Sequence, residues 1–409
     1  MLLIKNIGIL QTPVGTRSLC GKDQAKNLKL YNAAVAVEGG VISKIYRDGE
    51  LSDICGSDCK VIDAEGGLVT PGLIDCHTHL TFGGWRQGEI RLKLNGATYL
   101  DILKSGGGIL DTVQNTRKMS EDELYERSNG FVEEMLGLGV TTIESKSGYG
   151  LNLDDEIKQL KVNKRLNETT KADVVSTFLG AHAVPTEYDG RADEYIDYIC
   201  EVVLPEVKKQ KLADFCDVFC EDGVFNVEQS KKLLICAQKL GLKSKIHADE
   251  IESIGGAALA GEIKAVSAEH LIATDENGID CLRRGGVTAA LLPATSFYLN
   301  KNYAKARTMI DCGVPVAIAS DFNPGSCPSL NLQLAINLGY IKYRMFPEEI
   351  LTAVTLNAAC AIDRGESVGS VEVGKKADLV VWNAPDFETV CYRFGTNQVK
   401  TVIKNGEVV

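Results

Sequence analysis

The sequence predicts a (β/α)8 TIM-like barrel carrying a small β-sandwich domain built from both chain termini. Three observations predict it. Eight short apolar runs alternate with longer amphipathic stretches, both chain ends read as strands, and all five histidines fall at the ends of the apolar runs or just beyond them. The runs expected as strands are 73–76, 140–145, 174–179, 215–220, 243–246, 265–268, 287–292 and 316–319. Eight strands, each followed by a helix, is the number that closes a parallel barrel. Segments such as 121–136 and 227–240 set apolar residues three and four apart with charges between them, the period of a helix packing one face on a sheet.

Residues 2–10, 34–45 and 60–62 alternate as strands joined by Gly39-Gly40 and polar turns, and 377–382 and 399–409 do the same at the other end. A sheet drawn from both ends pairs edges that either end would leave open. The expected division is a composite β-domain of 1–65 plus 360–409 and a barrel of 66–359. The run Ser105-Gly106-Gly107-Gly108 reads as a mobile loop, because a glycine run by itself is a weak sign of an anion cradle.

With 44% apolar and 24% charged residues the chain is an ordinary globular one. Its formal charge of −11 and lack of any long basic run exclude nucleic acid as an expected partner. An anionic ligand must then be caught by individual cations or backbone N–H groups. The start is interrupted by Lys5 and lacks the parts of a signal peptide, and no apolar run reaches membrane-spanning length. The expectation is a cytoplasmic enzyme acting on a small molecule, with no membrane partner. The thirteen cysteines are odd in number and include no Cys-x-x-Cys, so they read as reduced core thiols.

Histidine is scarce, which makes its placement informative. In Pro71-Gly72-Leu73-Ile74-Asp75-Cys76-His77-Thr78-His79 a period-2 strand puts His77 and His79 on one side, able to chelate one ion. His182 follows the third run, His247 the fifth, His270 the sixth and Asp321 the eighth. Reactive groups of such barrels sit at this C-terminal rim. A lone histidine is more often a core or capping residue; five of five on one rim are not explained that way. Glu250, three residues after His247, turns back toward the ion if its loop enters a helical turn, and is otherwise a first-turn acid. His270 is the other candidate base. Lys146 reads equally as barrel structure or substrate contact, and Cys220 or Glu221 as structure or as a bridge to a second ion.

The Gly-Leu-Ile-Asp lead-in to the histidine pair resembles the amidohydrolase superfamily over nearly the whole chain. That resemblance implies a metal held by His77, His79, His247 and Asp321, one Zn2+ or Fe3+ ion per subunit. Relatives with two metals bridge them by a lysine or acid after the fourth strand, whereas here the strand ends Cys220-Glu221-Asp222 without a lysine. Four stretches narrow the resemblance to the imidazolonepropionase family: Phe82-Gly83-Gly84-Trp85-Arg86, Ser145-Lys146-Ser147-Gly148-Tyr149-Gly150, Gly180-Ala181-His182-Ala183 and Asp321-Phe322-Asn323-Pro324-Gly325-Ser326. It implies hydrolysis of the cyclic amide of 4-imidazolone-5-propanoate to N-formimidoyl-L-glutamate in histidine degradation, by a homodimer. Arg86, Tyr149, His182 and Glu250 would contact the substrate. Asn323, Gly325 and Ser326 would hold the product side, with backbone N–H groups after Gly325 as an anion nest. Glu250, His270 and Asp321 would carry protons. Two alternatives are weighed against this: an aminohydrolase of a cytosine- or guanine-like ring, and a catalytically dead scaffold, which the full ligand set disfavours.

Overall fold

The computed structural model describes residues 1–48, 50, 59–96 and 107–409; Ser105 and Gly106 of the glycine run lie outside the described residues. The chain opens with β1 (Leu2–Thr12), β2 (Leu28–Glu38), β3 (Val41–Tyr46), β4 (Lys60–Asp63) and β5 (Leu68–Pro71). β1 pairs antiparallel with β2 on one side, and on the other runs parallel to β4 near its start and β5 near its end. The sheet therefore forks along β1.

Gly72 is where the chain leaves this sheet. A β-carbon there would lie 2.3 Å from the Thr141 hydroxyl, so only glycine lets the two layers approach. Eight parallel strands follow in sequential order: β6 (Leu73–Thr78), β7 (Val140–Lys146), β8 (Asp173–Ala181), β9 (Phe215–Cys220), β10 (Lys243–Ala248), β11 (Ser267–His270), β12 (Thr288–Leu291) and β13 (Val316–Ile318). Each overlaps an expected run, although β11 is displaced by two residues and so ends in His270. The seam between β13 and β6 is held at the C-terminal rim, where the Asp321 N–H donates to the His77 carbonyl at 3.0 Å and the His79 N–H to Phe322 at 2.9 Å. The backbone of His77, His79 and Asp321 thus helps to close the barrel.

The helices Glu121–Gly137 and Val227–Lys239 each begin at a capping box, Ser120 with Glu123 and Asn226 with Gln229. They bury the faces bearing Leu124, Val132 and Met135, and Leu233, Leu234 and Ala237. Helix Leu356–Ala361, which the strand pattern does not reveal, packs Ala358, Ala359 and Ala361 against Ile74, Val175, Phe215 and Ala317 inside the barrel. It plugs the end opposite the site.

β14 (Leu379–Trp382), β15 (Val399–Lys404) and β16 (Glu407–Val408) return to extend the terminal sheet from β5. The terminal strands thus form one mixed sheet, and its core joins Ile4, Ile7 and Val35 from one arm to Val69, Leu379, Val381 and Ile403 from the other. Among the described residues no helix is long and apolar enough to cross a membrane, and no cysteine is in a disulfide. Cys76, Cys216, Cys220, Cys327 and Cys391 are buried, but Cys20 and Cys312 are exposed, so the core-thiol expectation fails for those two.

Candidate active site

The five histidines converge although four barrel strands supply them. Ring centroids of His77 and His247 are 4.6 Å apart, His79 and His182 stack at 4.8 Å, and His247 and His270 lie at 5.2 Å. Asp321 Oδ1 stands 3.4 Å from His77 Nε2 and 3.5 Å from His79 Nε2. One donor atom each from His77, His79 and His247 falls within 4.8 Å of the others, and the same holds for His77, His270 and Asp321. Both nitrogens of His77, Nε2 of His247 and Nδ1 of His79 and His270 are buried with no hydrogen bond among the described residues. Each such atom costs about 1–3 kcal/mol if nothing occupies it. Burial, reinforced by the Lys146 charge and by neighbouring imidazoles, holds His77 and His79 well below the usual histidine range. They are neutral, with lone pairs to offer, which is the ligating form. Nitrogen donors with one carboxylate suit zinc or iron.

Beneath the rings lies a second layer, of acids around one lysine. Asp217 on β9 sits 3.0 Å from His247 Nδ1, and Glu269 on β11 is 3.9 Å from His77 Nδ1. Both face the Lys146 ammonium, at 2.8 Å and 3.9 Å, and Glu144 meets it at 2.9 Å. Burial works against charge on His247, but the Asp217 carboxylate outweighs it and raises the imidazole. Burial likewise opposes charge on Lys146, and the three acids overcome it. This settles Lys146 as barrel structure. The sequence reading missed Asp217, Glu144 and Glu269. Asp217 alone carried a signal, an acid inside the otherwise apolar strand Phe215–Cys220, which is rare unless the acid is paired.

Comparisons with known proteins bear on this arrangement. Two models of the amidohydrolase family match, one over residues 227–409 and the other over residues 60–98. An imidazolonepropionase of Caldanaerobacter subterraneus subsp. tengcongensis is 48% identical over 98% of this chain and 96% of its own. One of Bacillus mycoides is 48% identical over 99% and 96%. The chain belongs to the imidazolonepropionase family. Solved structures share the fold at much lower identity. A 5-methylcytosine deaminase of Klebsiella pneumoniae superposes with a TM-score of 0.75 at 17% identity, covering 100% of this chain and 97% of that one. An adenosine deaminase of Xanthomonas campestris reaches 0.70 at 19%, covering 100% and 92%.

Of the other residues that the family resemblance singled out, Tyr149, His182 and Glu250 lie against this cluster. Tyr149 is buried with its ring 5.3 Å from His182 and 5.8 Å from His79, and His182 Nδ1 is 3.1 Å from the Gly148 carbonyl. Glu250 Oε2 faces His270 Nε2 at 3.6 Å. It arrives by a different route from the one expected. No helical turn follows β10; residues 249–252 bend, with Asp249 at φ 51°. The Asp249 carboxylate accepts from Gly256 N–H, Ala257 N–H and the Thr274 hydroxyl, so the bend is anchored. Glu221 accepts from the amides of Asp222, Ile251 and Glu252, which ties the same loop from the β9 side. Neither Glu221 nor Cys220 belongs to the close-set donor groups among the described residues.

In the loop after β13 the Asn323 side chain takes up the polar groups. Its Oδ1 accepts from the Gly325 and Ser326 N–H groups at 2.8 and 2.7 Å, and its amide donates to the Asp321 carbonyl and the Ser326 hydroxyl. The Ser326 amide, the first of those expected after Gly325 to form an anion nest, is therefore already satisfied within the loop. Thr295 donates to Asp321 Oδ2 at 2.6 Å, which leaves Oδ1 turned to the imidazoles.

Proposed function

We propose that this chain opens the ring amide of 4-imidazolone-5-propanoate to N-formimidoyl-L-glutamate, a step of histidine degradation, with one Zn2+ or Fe3+ ion held by His77, His79, His247 and Asp321. The observation that carries the metal reading is the set of buried imidazole nitrogens left without hydrogen bonds around Asp321. The ion, when bound, supplies Lewis acidity that lowers the pKa of water to about 7 and polarises a carbonyl.

The chain's own residues do the rest. Asp217 fixes His247 through Nδ1, so that Nε2 is the nitrogen presented. Glu250 and His270 are the proton carriers. Burial raises the Glu250 carboxyl and drives His270 down to about 3, so a proton shared between their facing atoms resides on Glu250. The pair, with Asp321 beside it, receives a proton from the attacking water and returns one to the departing ring nitrogen. Tyr149 and His182 form the wall along which the ring lies. Arg86 provides the cation for the propanoate, and Asn323, Gly325 and Ser326 form the loop on the product side. The same reading includes a cytoplasmic location and a homodimer, the latter checked by the mass of the purified protein in solution.

The test offers purified protein 4-imidazolone-5-propanoate, cytosine and guanine separately and follows each chromophore. Decay of the imidazolone alone is expected. Turnover of cytosine or guanine in its place would overturn the assignment.

A further inference from the structure

Arg86 is held from two sides. Its Nε and Nη2 donate to the two carboxylate oxygens of Glu89 at 2.9 and 3.1 Å, a fork that fixes the plane of the guanidinium. Glu89 is buried and also accepts the Gly108 N–H at 2.7 Å, so it is itself anchored. The remaining nitrogen, Nη1, rests on the loop after β13 so closely that a β-carbon on Gly325 would lie 2.1 Å from it. Phe82 and Trp85 pack edge-on to Phe322 at 5.8 and 5.9 Å, which joins the backbone bearing Arg86 to the loop bearing Asp321 and Gly325. The glycine at 325 thus has a reason that backbone conformation does not give: the space of its side chain belongs to Arg86.

We infer that Glu89 is the positioning residue for Arg86, and that Glu89 and Gly325 together fix the guanidinium where it meets the carboxylate of the substrate. This rests on the reading of Arg86 as the cation for the propanoate. A flexible arginine loses side-chain freedom on binding, and an arginine already forked onto a buried acid has lost it beforehand.

The test compares Glu89→Gln, Gly325→Ala and Arg86→Ala in the metal-loaded full chain, with 4-imidazolone-5-propanoate and with its side-chain primary amide. Glu89→Gln is expected to raise KM for the acid about tenfold, the effect of losing one charge-assisted contact. Its kcat and metal content stay at wild-type values, and kcat/KM for the uncharged amide does not change. Gly325→Ala, which displaces Nη1, is expected to raise KM in the same way, and the double variant to show less than the sum. An unchanged or lowered KM for Glu89→Gln overturns the inference, as does an equal loss on the amide, which would mark a merely structural role. If Glu89→Gln does not fold, Gly325→Ala decides on the same criteria. A rise in KM with Arg86→Ala but not with the other two removes this inference alone. No rise with Arg86→Ala removes the reading of Arg86 along with it.

Discussion

Two lysines are buried with carboxylates, and their surroundings differ in one respect. Lys404 on β15 joins the terminal sheet to the foot of the barrel, 2.8 Å from Asp173 and 2.6 Å from Asp378. Asp378 also accepts the Asn405 N–H, and Lys376 reaches Asp173 at 2.8 Å. These charges are all matched. Lys146, inside the barrel, is as deeply buried and also meets acids at 2.8 and 2.9 Å. Yet Glu269 Oε2, 3.9 Å from that ammonium, and the imidazole nitrogens just above it make no hydrogen bond among the described residues. The difference teaches what each region is for. The charged groups of the Lys404 cluster satisfy one another, whereas the barrel mouth gathers lone pairs that its neighbours leave without hydrogen bonds.

The strongest way to break this comparison is to remove a donor from the surplus. His247→Ala should lose its metal on dialysis and its turnover by about three orders of magnitude, the scale of lost Lewis-acid catalysis. Elemental analysis beside the rate checks it, and retained metal would mean that the unpaired nitrogens have another purpose. His270→Ala should lower kcat by about 10²–10⁴-fold, as loss of a general acid or base does, with metal content intact. Loss of the ion would instead make His270 a ligand.

The comparison sharpens at the lysines themselves. Lys146→Met and Lys404→Met should each cost about 3–5 kcal/mol by stranding buried carboxylates, read from denaturant unfolding. Only Lys146→Met should also weaken metal affinity, by about 10–100-fold, because Asp217 and Glu269 then no longer orient His247 and His77. Equal losses of affinity in the two variants would erase the distinction.

The smallest effect is in the pH dependence of the Lys404 cluster. Burial opposes charge on Asp173, but Lys404 and Lys376 prevail and lower its carboxyl below the usual range. A depressed folded-state value means that the stabilisation is present above the unfolded pKa of about 3.9 and fades as pH falls through the lower folded value. Because the Asp173 side chain is 29% exposed, Asp173→Asn should cost only about 1 kcal/mol at neutral pH. Its unfolding midpoint should converge with that of the parent protein in acid. A gap that persists at low pH would show that the contact works by packing.

Much of this was legible because it is local. The period of two that puts His77 and His79 on one side and the alternation of strand and helix both follow from backbone geometry over a few residues. Even the order of the candidate donors around the rim follows, once eight strands are taken to close in sequence. What was not legible depends on partners distant in the chain. Glu250 reaches His270 through a bend anchored at Asp249 rather than a helical turn, and Asn323 occupies the amides of its own loop.

By itself, then, the sequence determined the kind of barrel, the composite β-domain, and the donor types that gather at one rim. Only tertiary structure decided that Asp217 stands behind His247, that Lys146 serves three acids, and that Arg86 occupies the space beside Gly325. The physical reason is the range of the forces. Backbone sterics and periodicity act between neighbours and are written along the chain. Which side chains meet is set by strand register and barrel closure, which no local pattern records.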